Sequence, residues 1–255
     1  MMEIAKKEDY DKLIHTVMKN IQEKMPFYNE RHFQFEFAWA LREILQGKNA
    51  EILFEQYYPT VDERDDCDGN ILKEKKNYTD IVVKYEDGEF IAIELKYALN
   101  SDGKKEEKRY KYRKNNDDIV TIAKKGAADN ACYDYLYDVH RLENLKNAYD
   151  RQDKKMRYEN SSLKKFVAGY AIIISNIGTM WKGSERKTSY DNFRIDVCTQ
   201  EKCSWIGEGK RGERNSPIKL KKRYECNWKP ADEFYFKDED SISPPFKYLT
   251  IKVCD

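Results

Sequence analysis

The period of the apolar positions changes several times along this chain, and each change predicts an element. Over residues 6–25, Leu13, Ile14, Val17, Met18 and Ile21 recur three or four apart, the spacing of one helix face, and Pro26 closes the stretch. A second helix is predicted from about Glu30 to Leu45, with Phe33, Phe37, Ala40, Leu41 and Ile44 on one face and Gly47 as its stop signal. A third is predicted over 128–142, where Ala128, Ala131, Cys132, Tyr135, Leu136, Val139 and Leu142 step by three and four.

Between these stretches the apolar residues gather into short runs. Residues 51–58 (EILFEQYY) have strand composition and end at Pro59. Residues 78–85 (YTDIVVKY) and 90–95 (FIAIEL) flank the turn signal Glu86-Asp87-Gly88 and are expected to pair as a hairpin. Residues 166–175 (FVAGYAIIIS) are continuously apolar, as in a strand buried on both faces. Strands are also expected at 193–197 and 248–253, whereas 62–77 and 98–118 are polar enough to read as loops. The order helix, strand, strand, strand, helix, strand predicts a single α/β domain. Its parts are an N-terminal helical segment (1–29), a core (30–176) and a C-terminal β-rich elaboration packed on the core (177–255).

Composition narrows the class. The 255 residues are ample for a sizeable core. A chain that is 40% hydrophobic and 36% charged, with 19 Tyr and 11 Phe, reads as a soluble folded protein rather than a disordered one. No apolar run approaches the roughly 20 residues of a membrane span, and MMEIAKKEDYDKL has no apolar signal-peptide core. A cytoplasmic protein with no membrane partner is therefore expected. Cys67, Cys132, Cys198, Cys203, Cys226 and Cys254 form no CxxC pair. Cys198, Cys203 and Cys226 are too loosely spaced, with no His nearby, to suggest zinc, and idle thiols are the plainer reading. Forty-seven basic against 46 acidic side chains leave a net charge of +1, which neither demands nor excludes nucleic acid. Basic residues with interleaved Tyr or Trp cluster at 104–114 and 210–229; alone, these read as solvated loops.

One pair of charged residues stands apart. Glu94 and Lys96 end an apolar strand and, being two apart, share one face of it, while Ile91, Ile93 and Leu95 share the other. The acid-x-Lys spacing alone means little, because Glu74/Lys76, Glu106/Lys108, Asp153/Lys155, Glu185/Lys187 and Glu208/Lys210 all show it, each in polar sequence. Charges beside a core are costly unless paired or bound to metal. The hairpin is expected to bring Asp80 across to Glu94. Two converging carboxylates suit a hard cation such as Mg²⁺ or Mn²⁺, which polarises a phosphoryl group and activates water. A neighbouring Lys can orient that water and offset developing negative charge. A structural Glu–Lys pair at a strand end is the plain alternative.

The segments TDIVV and IAIELKY, preceded by the helix ERHFQFEFAWALREIL, resemble the PD-(D/E)XK nuclease superfamily over roughly residues 30–176. The resemblance implies a restriction-endonuclease-like α-β-β-β-α-β core with a mixed sheet. It maps the family's first acidic motif residue onto Asp80, its second onto Glu94 and its lysine onto Lys96; Thr79 stands where the motif's proline would be. Many members add an acidic residue on the first core helix, for which Glu36 is the candidate; Glu43 and Glu55 are weaker ones. Asp80, Glu94 and Glu36 would hold the metal, and Lys96 would position or activate water.

The third helix borders the active site in that superfamily, so Arg141 could touch a phosphate, with solvent exposure as the plainer expectation. His140 lies off the apolar stripe, and His15 and His32 have no partner in sequence. The expected function is a Mg²⁺-dependent endonuclease acting on nucleic acid, DNA first, in restriction, repair or phage defence. A catalytically inactive nuclease-fold binding or regulatory protein is the alternative. Double-strand cleavage would call for a two-fold homodimer. Specificity is expected in residues 98–126 and 177–255.

Overall fold

A computed structural model describes residues 7–60, 75–99, 110–114, 118–122, 128–150, 162–183, 193–203, 218–231 and 245–254. Two helices come first, α1 (Lys7–Gln22) and α2 (Glu30–Leu45). The N-terminus of α2 is capped by Asn29, whose side chain accepts the amide of His32, and Gly47 follows its end at φ 75°, a left-handed position suited to glycine. Strands β1 (Ala50–Thr60), β2 (Lys75–Tyr85) and β3 (Glu89–Ala98) form an antiparallel meander. Gly88, at φ 85°, makes the turn between the last two. Then come β4 (Tyr110–Lys114), β5 (Asp118–Ile122), α3 (Ala128–Asp150) and β6 (Lys165–Ser175). The remainder comprises a short helix α4 (Thr179–Lys182), the two-residue strands β7 (Lys202–Cys203), β8 (Ile218–Lys219) and β9 (Lys229–Pro230), and β10 (Lys247–Val253).

The main sheet is mixed and six-stranded, in the order β1-β2-β3-β6-β10-β9. Its parallel pair is β3 with β6, and α3 lies on the crossover that such a pair requires. Because side chains alternate along a strand, the sheet separates two apolar layers. Ile91, Ile93, Leu95 and Tyr97 of β3 join Ile81, Val83, Tyr170, Ile172 and Ile174 beneath α1 and α2. Phe90, Ala92 and Ala98 join Val82, Ala171, Ile173, Leu249 and Ile251 beneath α3. Gly169 lets α3 lie close, since a Cβ there would stand 3.0 Å from Leu142 Cδ2.

The mixed α/β architecture follows the expected element order, with three differences. Residues 110–114, within the stretch 98–118 expected as loop, pair with 118–122 as the β4–β5 ribbon; Tyr110, Tyr112, Ile119, Val120 and Ile122 supply β-forming residues that the surrounding Lys and Asp obscure. Residues 193–197 form no strand. Phe193 and Ile195 are buried, but Val197, which strand alternation would put on the same face, is exposed, and the Ile195 carbonyl accepts the Trp228 indole N–H at 2.7 Å. Finally, α3 runs on past Leu142 to Asp150 because Leu145 is buried and Ala148 and Tyr149 pack on the same layer. Of the expected loop at 62–77, residues 75–77 belong to β2 and the rest lie outside the described residues, as do 104–109 and 210–217 of the basic clusters. Cys67 and the side chain of Cys203 also lie outside them, while Cys132, Cys198, Cys226 and Cys254 form no disulfide with one another. Among the described residues no helix is long and apolar enough to cross a membrane.

Candidate active site

The site begins where β2 and β3 part. Their ladder runs from Lys84 opposite Phe90 to Ile81 opposite Ile93 and stops there; the next rung would set Asp80 opposite Glu94. Beyond it β2 continues against β1 and β3 continues against β6, so the two strands fork. A buried amide without a partner is costly, and at the fork two carboxylates take over from the missing strand. Asp80 Oδ2 accepts the Leu95 amide at 2.8 Å, and Glu30 Oε2, from the first turn of α2, accepts that of Tyr97 at 3.2 Å.

Glu94 and Lys96 project from the face beneath α3, among small neighbours Ala92, Ala98 and Ala171. From α3, Asp138 and Arg141 lie three residues apart on one helix face and close the fork from above. Arg141 Nη2 donates to Glu94 Oε2 at 2.8 Å and to Asp138 Oδ1 at 2.7 Å. Lys96 Nζ is 3.5 Å from Asp138 Oδ2. Three carboxylates (Asp80, Glu94, Asp138) thus face two cations (Lys96, Arg141), an excess of one negative charge.

Burial gives this cluster its electrostatic character. Asp80 is pushed up to about 6, chiefly by burial, with the Leu95 amide pulling it down and the charge of Asp138 adding to the rise. Burial also drives Glu94, 1% exposed, well above the usual carboxylate range; Arg141 opposes this, and Asp138 and Asp80 reinforce it. The Lys96 ammonium is held above its ordinary value by Asp138, against the effect of burial. Lys96 therefore stays charged at neutral pH and serves as a donor and positive charge. For Arg141, burial works against the charge, but Glu94 and Asp138 outweigh it.

A divalent cation fits the donor set on one observation: Glu94 Oε1 is fully buried with no hydrogen-bond partner. A buried carboxylate oxygen left bare beside a second acid, Asp80, offers the hard oxygen donors that Mg²⁺ or Mn²⁺ takes. Among the described residues no three His, Cys, Asp or Glu side chains are gathered into a ready metal site. Between Glu94 and Asp138 stands the guanidinium of Arg141.

The other sequence candidates lie elsewhere. Glu36 is on the helix that packs against the opposite face of the sheet, and its carboxylate meets Lys24 at 2.7 Å and His32 at 3.5 Å. Burial raises its pKa, but Lys24 and His32 outweigh it and leave the group below its ordinary value. Glu43 accepts the Trp39 indole N–H on the exposed side of α2. Glu55 sits at the level of Asp80 on β1 but is exposed, and its backbone is left-handed at φ 47°. His140 is engaged by the Lys219 carbonyl and Asn144. Two carboxylates at the fork, Asp138 in the cluster and Glu30 on the α2 side, were not singled out by sequence. Asp138 carried one signal, an acid inside the apolar stripe Tyr135, Leu136, Val139, Leu142. A groove of about 990 Å³ lies away from the fork, between Phe35, Trp39 and Arg42 of α2 and Ile52 and Phe54 of β1.

Comparison with known proteins does not supply an identity: no family model, no curated protein and no solved structure matches the chain.

Proposed function

We propose that the chain is a metal-dependent nuclease that hydrolyses phosphodiester bonds, DNA being the first substrate to test. The observation that carries the reading is the fork itself. Asp80, Glu94 and Lys96 converge where β2 and β3 separate, beneath α3, and the buried Glu94 Oε1 has no partner. The element order supports it too, a helix, a three-strand meander, a crossover helix and a strand parallel to β3, as the PD-(D/E)XK resemblance implies.

In this reading Asp80 and Glu94 hold Mg²⁺ or Mn²⁺, which supplies Lewis-acid polarisation of the phosphoryl group and an activated water. Lys96, kept charged by Asp138, orients the attacking water and offsets negative charge growing on the phosphate. Asp138 positions Lys96 and Arg141.

The test is incubation of plasmid and linear DNA, and of RNA in parallel, with Mg²⁺ or Mn²⁺. Wild type is expected to cleave one of them, and Lys96→Ala and Asp80→Ala to lose that activity. Cleavage undiminished in both variants overturns the assignment. One observation favours the second reading, an inert binding module on the same fold: Arg141 already occupies Glu94. That module would neither bind the cation nor cleave.

A further inference from the structure

Arg141 is held differently from an arginine that only braces a core. Nη2 serves two carboxylates at once, while Nη1 reaches the Tyr78 carbonyl at 3.3 Å. Nε is buried without a hydrogen-bond partner, and so are Glu94 Oε1 and Asp138 Oδ2. Guanidinium and carboxylate commonly meet fork to fork with two parallel bonds; here each carboxylate receives one. A buried polar network that is only partly satisfied is costly, so charge balance rather than hydrogen-bond geometry keeps this arrangement together. Its two partners also differ in freedom. Glu94 is fixed within a central strand at 1% exposure, whereas Arg141, at 18%, has an edge open to solvent. The arginine is the group that can turn.

We propose that Arg141 is the resting counter-ion of the cradle: it releases Glu94 when a divalent cation is bound at Asp80 and Glu94, and turns, still anchored by Asp138, to a phosphate of the nucleic-acid backbone. The inference rests on the nuclease reading. Exchanging one cation for another keeps the buried carboxylates neutralised throughout, and no covalent bond changes. The planar guanidinium then meets a group whose geometry suits its fork better than a single carboxylate oxygen does. Because Arg141 and the cation compete for Glu94, linkage requires that removing the arginine tighten cation binding, while losing the phosphate contact weakens substrate binding. An arginine that only braces the fold predicts the reverse for the cation, since a loosened cradle binds less well.

The experiment is calorimetric titration of the full chain with Mn²⁺ alone, for wild type, Arg141→Gln and Arg141→Lys, with thermal melts to establish that each is folded. The Kd for Mn²⁺ is expected to fall about tenfold in Arg141→Gln and by less in Arg141→Lys, whose ammonium keeps the charge but has no fork to span Glu94 and Asp138. The KM for nucleic acid is expected to rise in both. Should Arg141→Gln fail to fold, the Arg141→Lys titration decides alone. Unchanged or weaker Mn²⁺ binding in the folded variants overturns the counter-ion role and leaves the nuclease reading standing. No Mn²⁺ binding by wild type overturns both.

Discussion

On β3 the odd-numbered residues Ile91, Ile93, Leu95 and Tyr97 enter the layer beneath α1 and α2, while the even-numbered Glu94 and Lys96 enter the layer beneath α3. The first layer is apolar on both sides, with Phe33, Phe37 and Leu41 of α2 set against Ile81, Ile93 and Ile172. The second places five charged groups beside Val82, Ala92 and Ala171. A side chain in the first layer stabilises the fold simply by leaving water, at about 25 cal/mol per Å² of apolar surface. One in the second must be offset by a partner, and three buried polar atoms of Glu94, Asp138 and Arg141 lack a hydrogen bond. Apolar packing and buried charge are thus divided between the two faces of one strand, separated by a single residue.

That division can be broken from either side. On the nuclease reading, Lys96→Ala is expected to cut cleavage by about 10²–10³-fold at equal folded fraction, the usual range for losing one preorganised donor to developing charge; its melting temperature also falls, because the buried Asp138 loses a counter-charge. Ile93→Ala, a fully buried position, should act on stability alone. It should cost about 2–5 kcal/mol of stability and leave cleavage per folded molecule unchanged. Denaturant unfolding combined with rates corrected for folded fraction checks both. If Ile93→Ala lowered the corrected rate as much as Lys96→Ala does, the two faces would not be independent.

A smaller effect separates the faces by pH. Asp80 has its folded-state pKa raised from 3.8 to about 6, mainly by burial. For a carboxyl shifted upward, the native state holds the proton more tightly than the unfolded one. The associated stability is fully present below about pH 4 and is lost as pH rises through 6, an effect on the order of 3 kcal/mol. Asp80→Asn, which keeps an oxygen for the Leu95 amide, should therefore melt close to wild type at pH 4 and above it at pH 8, both in EDTA. No comparable divergence is expected for a substitution in the α1–α2 layer, where Ile81, Ile93 and Ile172 carry no proton. Parallel melting curves for Asp80→Asn and wild type across that range would show that burial does not disfavour the Asp80 charge.

Much of this was legible in the chain. The runs IVV and IAIEL marked two strands, Gly88 their turn, and a Glu and Lys two apart at a strand end marked one face. What the sequence withheld was the depth of the third helix over that face. Arg141 was readable as a surface residue because it lies off the apolar stripe, and the bare Cα of Gly169, far away in sequence, lets the helix come close enough to bury most of it. The fork was hidden for a similar reason. A strand's composition does not say where its ladder ends, so nothing flagged the Leu95 and Tyr97 amides, or Asp80 and Glu30 as the groups that accept them.

Glu30 and Glu36 provide the finest cut, because they lie six residues apart on the same helix. The superfamily resemblance pointed to Glu36 as the helix carboxylate of the site. In the structure Glu36 spends its charge on Lys24 and His32, whereas Glu30 accepts the Tyr97 amide and its charge acts on Lys96. Glu36→Gln loses the partly exposed ion pair with Lys24 and the longer contact with His32, with a stability cost of about 0–1 kcal/mol, and is expected to change cleavage by no more than about twofold. In Glu30→Gln the Tyr97 amide keeps an oxygen acceptor and only the negative charge near Lys96 is lost. Its cleavage should fall further than that of Glu36→Gln, by an amount on the order of one charge–charge interaction, roughly threefold to tenfold at about 1 kcal/mol. Measured side by side at equal folded fraction, the larger loss identifies which carboxylate of α2 serves the fork. A greater loss in Glu36→Gln would mean that α2 turns toward the site when the protein acts and that the resemblance, rather than the resting geometry, marks its acid.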